Sequence, residues 1–203
     1  MSAVPAVPSV PSVPAAAESL PPSREPAPLT APAALPISRY REIDAVADEL
    51  RREHGDPDHL PVSVRDLAEG AGIEVRARGG PQEPTYPYRG RLLYLDDRPV
   101  IELNIGEEPR RRRIVLAHAM GHHVLGHGPV PPETRPHLST QCPRRIEQEA
   151  HHFALELLMP DVAIYRLMNQ GMVSARRLAE RFHVPEDVLH ERLQTLDRKC
   201  GYL

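Results

Sequence analysis

From Ser38 onward the apolar residues recur at helical spacing. Ile43, Val46, Ala47 and Leu50 share one face, and Gly55-Asp-Pro57 ends the element. Val62–Gly70 reads as a second short helix, with Ser63 a candidate N-cap and Gly70 or Gly72 the stop. The period then changes to two: Ile73–Ala77 alternates, as a strand does. Residues 79–88 are rich in Gly and Pro and predict a loop. Two further strands, Arg91–Leu95 and Val100–Ile105, are joined by a turn through Asp96-Asp97-Arg98-Pro99. Pro109 suits the first turn of a helix running to about Leu125; Glu107 and Glu108 favour its positive end, and Gly126 and Gly128 stop it. A Pro-rich loop, Pro129–Pro143, leads to a helix over about Arg144–Met159, stopped by Pro160. Its apolar stripe is Ile146, Ala150, Phe153, Ala154, Leu157 and Leu158. Shorter helices follow over about 161–169, 174–182 and 186–197. The pattern predicts an α+β domain over residues 38–203, with a small three-stranded sheet packed against a mainly helical body.

Residues 1–37 belong to a different compositional regime. Val-Pro pairs recur every three residues from Val4-Pro5 to Val13-Pro14, and six further prolines follow. Proline removes backbone donors and fixes φ, so this segment predicts a disordered tail of polyproline II character. The remaining length suits one compact domain. A formal charge of −3 gives no electrostatic reason to expect nucleic acid or an anionic membrane as the main partner. Cys142 and Cys200 are too few for a disulfide framework and fit free thiols. The N-terminus shows no basic stretch leading into an apolar core, so no secretory leader is expected, and no apolar run approaches about 18 residues. These features predict a cytoplasmic protein.

The candidate chemistry lies in Leu116-Ala-His-Ala-Met-Gly-His122. His118 and His122 stand four apart, so on a helix both imidazoles leave one face and can grip one metal. Small Ala117, Ala119 and Gly121 leave room for a second helix or an ion. Zinc peptidases carry His-Glu-x-x-His, where the Glu is the general base. Here that position is Ala119, and a methyl group cannot take a proton. A catalytic zinc takes three protein ligands and a water. A carboxylate from the 144–159 helix would complete the set, and Glu147, one position off the apolar stripe, can reach it.

The run Glu147-Gln-Glu-Ala-His-His-Phe153-Ala154-Leu-Glu-Leu157-Leu-Met-Pro160 resembles the second helix of the ImmA/IrrE metallopeptidases. The resemblance extends from about Ile43 to Leu196, through Pro61–Ile73 and the strand ending in Asn104. It implies a zincin-like fold, Zn2+ as cofactor, and Glu147 as the third ligand beside His118 and His122. Glu149 would point about 200° away round the helix. Relatives are known for cutting helix–turn–helix repressors, which implies a partner of that kind. Two departures stand out. Ala119 replaces the base, so no catalytic residue carries over. His151 replaces the usual Asn and either faces the same cleft or lies at the surface.

His123 and His127 fall on a face about 100° from the pair, as structural or solvated residues do. Arg110–Arg113 reads as a solvated helix start, and the helix–turn–helix-like spacing of 174–197 as packing. The expectation is a metallopeptidase-fold protein, impaired in catalysis, that acts on or binds a repressor. Its alternatives are an active endopeptidase with a displaced base and a DNA-binding regulator using the C-terminal helices.

Overall fold

A computed structural model describes residues 35–56, 58–128 and 144–200. The predicted tail, apart from its last three residues, and the Pro129–Pro143 loop lie outside the described residues. Among the described residues seven α-helices surround a three-stranded sheet, the α+β architecture that the hydrophobic pattern predicts.

The first helix, α1 (Ile37–His54), buries Ile43, Ala47 and Leu50 on the predicted face. The second, α2 (Val64–Gly70), starts after Ser63, whose side chain makes no capping hydrogen bond. The strands are β1 (Glu74–Arg78), β2 (Gly90–Leu95) and β3 (Arg98–Asn104). Their order is β1-β3-β2, with β1 parallel and β2 antiparallel to the central β3.

The hairpin turn is shorter than the sequence predicts. Leu95 pairs with Arg98 across Asp96 and Asp97 alone, and both aspartates have positive φ, 49° and 61°. That backbone matches the right-handed twist of the flanking strands, and Asp tolerates it better than most side chains. Pro99 therefore lies inside β3, paired with Tyr94. Its missing donor costs no ladder bond, because the β1 pairing begins only at Val100.

Helix α3 (Pro109–Val124) crosses the sheet. Its N-cap is Glu108, whose carboxylate accepts from the Arg110 and Arg111 amides. Nine consecutive residues, Ile114–His122, are buried, so this helix is enclosed on all sides rather than amphipathic. Gly90 of β2 lets the sheet approach, since a Cβ there would stand 2.4 Å from Val115 Cγ1. Helix α4 (Arg144–Leu158) packs on the other side of α3 and against α1. Helices α5 (Asp161–Asn169), α6 (Ala175–Phe182) and α7 (Glu186–Cys200) close the body.

A buried ionic knot ties these helices together. Arg192 of α7 pairs with Glu156 of α4 and Asp161 of α5, and Lys199 reaches Asp44 of α1 at 2.6 Å and Asp161 at 2.5 Å. Burial pushes the Glu156 carboxyl up, against the pull of Arg192. His152 donates into the same group through Asp44, at 2.7 Å. With Arg192 and Lys199 in place, the Asp44, His152 and Glu156 cluster already has its cations.

Candidate metal centre

Two helices build the site. His118 and His122 leave the same face of α3, and Glu147 projects from the first turn of α4. The Nε2 atoms of the two histidines are 3.0 Å apart. Glu147 Oε2 lies 3.4 Å from His118 Nε2, and Oε1 lies 3.5 Å from His122 Nε2. Tetrahedral ligands about 2.0–2.1 Å from one zinc ion are separated by about 3.3–3.4 Å. The two imidazoles and the Glu147 carboxylate therefore sit at distances that one ion can bridge, and this donor set is one that zinc accepts.

The approach of α4 to α3 rests on Gly121. A Cβ there would stand 2.9 Å from the Ala150 carbonyl oxygen and 3.1 Å from its Cα. Both are backbone atoms and cannot swing aside. Gly121→Ala gains helix propensity of about 1 kcal/mol, yet it must push α4 outward. We expect a net loss of about 1–3 kcal/mol in chemical denaturation. Metal affinity should fall with it, because Glu147 moves with α4; unchanged stability and affinity would show that the helices can separate freely.

Behind His122 stands a residue that helical spacing misassigns. His127 is neither on the helix nor solvated. Gly126, at φ 69°, turns the chain after α3. The Gly126 amide then donates to the His123 carbonyl and the His127 amide to the His122 carbonyl, at 3.1 and 3.0 Å. This is a Schellman closure, which carries the second residue past the helix back over its last turn. The His127 ring is folded onto His122, with Nδ1 to Nδ1 3.1 Å, and its Nε2 reaches Glu149 Oε2 at 3.3 Å. Two ring nitrogens facing each other share one proton. If His122 Nε2 is to keep its lone pair for an ion, its Nδ1–H donates to His127, whose Nε2–H donates to Glu149. Gly126 at the helix end was the available sequence signal.

Glu149 anchors that relay. Arg39 of α1 donates to it at 2.5 Å and Arg145 at 3.0 Å. Burial works against its charge, but these hydrogen bonds prevail and hold its carboxyl down at about 2. Burial, with His118 adjacent, pushes His122 down to about 3, so its imidazole stays neutral at ordinary pH. A neutral ring is the form that binds a metal.

His151 stands beside the trio. Its ring centroid is 6.3 Å from that of His118, and its Nε2 meets Glu191 of α7 at 2.8 Å. His123 lies near the end of β2, where the Tyr94 hydroxyl is 3.0 Å from its Nδ1. Ala119 is 3% exposed and packs with the core, an enclosed position rather than an open one. The cause is the enclosure of α3 between sheet and α4. Arg111 of the arginine run pairs with Asp187 at 3.0 Å. In the 174–197 segment, α6 and α7 bury Leu178, Phe182, Leu189 and Leu196. No helix among the described residues is long and apolar enough to cross a membrane.

Residues 68–194 match the IrrE N-terminal-like domain of the Peptidase_M78 family. Among solved structures, a Mycobacterium tuberculosis transcriptional regulator is similar, at 20% identity and a TM-score of 0.51. The likeness covers 77% of this chain and 58% of that one, so the chain spans little more than half of the regulator, and what they share is the fold. No curated protein matches.

Proposed function

Since the chain belongs to the IrrE N-terminal-like family, we propose that it is a zinc-binding metallopeptidase-fold protein without an efficient peptidase step, which engages a repressor-type regulatory protein. The observation that carries this reading is the trio His118, His122 and Glu147, with donor atoms 3.0–3.5 Å apart, directly beside Ala119. Bound there, zinc would supply a Lewis acid and a water acidified to a pKa of about 7. His118 and His122 would hold it through Nε2, and Glu147 through its carboxylate. His127 and Glu149 orient the His122 ring from behind. The step this chain lacks is removal of the water's proton, and loss of a general base costs about 10²–10⁴ in rate.

The displaced-base alternative loses its two nearest carboxylates of α4. Glu149 is occupied by Arg39, Arg145 and His127, and Glu156 is locked in the ionic knot by Arg192. The DNA-binding alternative meets the wrong charge. Over residues 174–197 four arginines stand against five acidic residues, and a DNA-binding surface needs an excess of cations.

The reading places the protein in the cytoplasm beside a helix–turn–helix regulator. Its test is to mix the zinc-loaded chain with a helix–turn–helix repressor, taken from its gene neighbourhood where one is encoded there. The expected result is a complex that co-elutes in gel filtration with the regulator intact after hours. Regulator fragments that vanish on adding a chelator would overturn the reading.

A further inference from the structure

The face of α3 opposite the histidines carries a second feature. Pro109, Arg112, Arg113 and Leu116 follow at i, i+3, i+4 and i+7, and all four line a pocket of about 250 Å³. Helix α2 closes one side with Ser63, Val64 and Arg65, and the sheet closes the other with Ala77, Leu103 and Ile105. None of the described residues lining it is acidic.

Arg113 is the anomaly. Its Nε and one Nη are buried and have no hydrogen-bond partner. Arg39 and Arg192 also leave one nitrogen unpaired, but carboxylates hold both of those guanidiniums. Arg113 has no ion pair among the described residues, and burial pushes its guanidinium pKa down. Arg113 is half-buried, and two buried guanidinium nitrogens without a partner are costly and seldom kept in native structures. The pocket beside it is otherwise mainly apolar.

We infer that this pocket binds a small organic acid, its carboxylate received by the Arg113 guanidinium and its hydrocarbon part lying on Val64, Leu103 and Leu116. Two planar donors of a guanidinium match the two oxygens of one carboxylate. The apolar walls favour an acid with a short hydrocarbon chain over a bare inorganic anion. Arg112 and Arg65 add positive charge at the rim, although Arg65 is partly engaged by Glu69 at 3.3 Å. The site is separate from the metal centre, since positions 113 and 122 point about 180° apart round α3.

Hexanoate is a suitable probe for the full-length protein, with hexanol, acetate and inorganic phosphate as controls, followed by titration calorimetry and thermal melts. Hexanoate should bind and raise Tm, and each control should bind at least about tenfold more weakly. Arg113→Met should lower hexanoate affinity about tenfold or more. It should leave Tm of the unliganded protein unchanged or raised, because it removes a half-buried charge that has no carboxylate partner. The inference fails if hexanol binds as tightly as hexanoate, if phosphate binds more tightly, or if hexanoate does not bind below about 10 mM. It fails equally if Arg113→Met keeps the affinity, or lowers Tm by several degrees and so shows a structural role.

Discussion

Replacing Ala119 by Glu should raise metal-dependent cleavage of the cognate regulator at least about a hundredfold over the natural chain. The substitution adds a carboxylate one residue after His118, where zinc peptidases of this signature keep their general base. Helix propensity does not oppose it, since Glu forms helices well. Burial does: position 119 is 3% exposed, so a carboxylate that fails to face the metal site is left unpaired. We therefore expect the metal-free variant to be less stable than the natural chain by about 1–3 kcal/mol. Zinc should restore part of that loss, because the new carboxylate then has a cation-bound water to accept from. Cleavage that rises and is abolished by a chelator, together with this stability pattern, supports the account. Equal metal-dependent rates in both proteins would show that another residue already serves as the base.

Loss of His122 should have the larger effect on metal. His122→Ala removes one donor of three and also the partner of the His127 and Glu149 relay. Elemental analysis after dialysis should find about one zinc per natural chain and little in the variant. A stability readout separates metal loss from misfolding. The His122 ring is buried and neutral, so its removal leaves a cavity costing a few kcal/mol, without an uncompensated charge. Equal zinc content in the two proteins would end the case for this centre.

The parts of this site legible in the chain are those fixed by local geometry. The i, i+4 spacing of His118 and His122 is enough to put both imidazoles on one face of α3, and the apolar stripe of α4 is enough to turn Glu147 toward them. Gly121 between the histidines already implies a close neighbour, and the Ala150 backbone fills that place. Three features depend on contacts that spacing does not carry. His127 reaches His122 only because Gly126 reverses the chain in a left-handed conformation. Glu149 holds its charge through Arg39, which lies 110 residues earlier in the sequence. Ala119 is enclosed because the sheet and α4 close on opposite sides of α3, a consequence of tertiary packing. The hairpin is a smaller case: Arg98 and Pro99 look like turn residues, yet the two aspartates complete the reversal alone.

The central claim is that His118, His122 and Glu147 together hold one zinc ion. X-ray absorption at the zinc edge, on the natural chain loaded with one equivalent, tests it most directly. The account predicts two imidazole nitrogens and light oxygen ligands at about 2.0–2.2 Å, with Glu147→Gln altering the oxygen shell while both imidazoles remain. A spectrum without imidazole scattering, or one with a sulfur shell at about 2.3 Å, would contradict it.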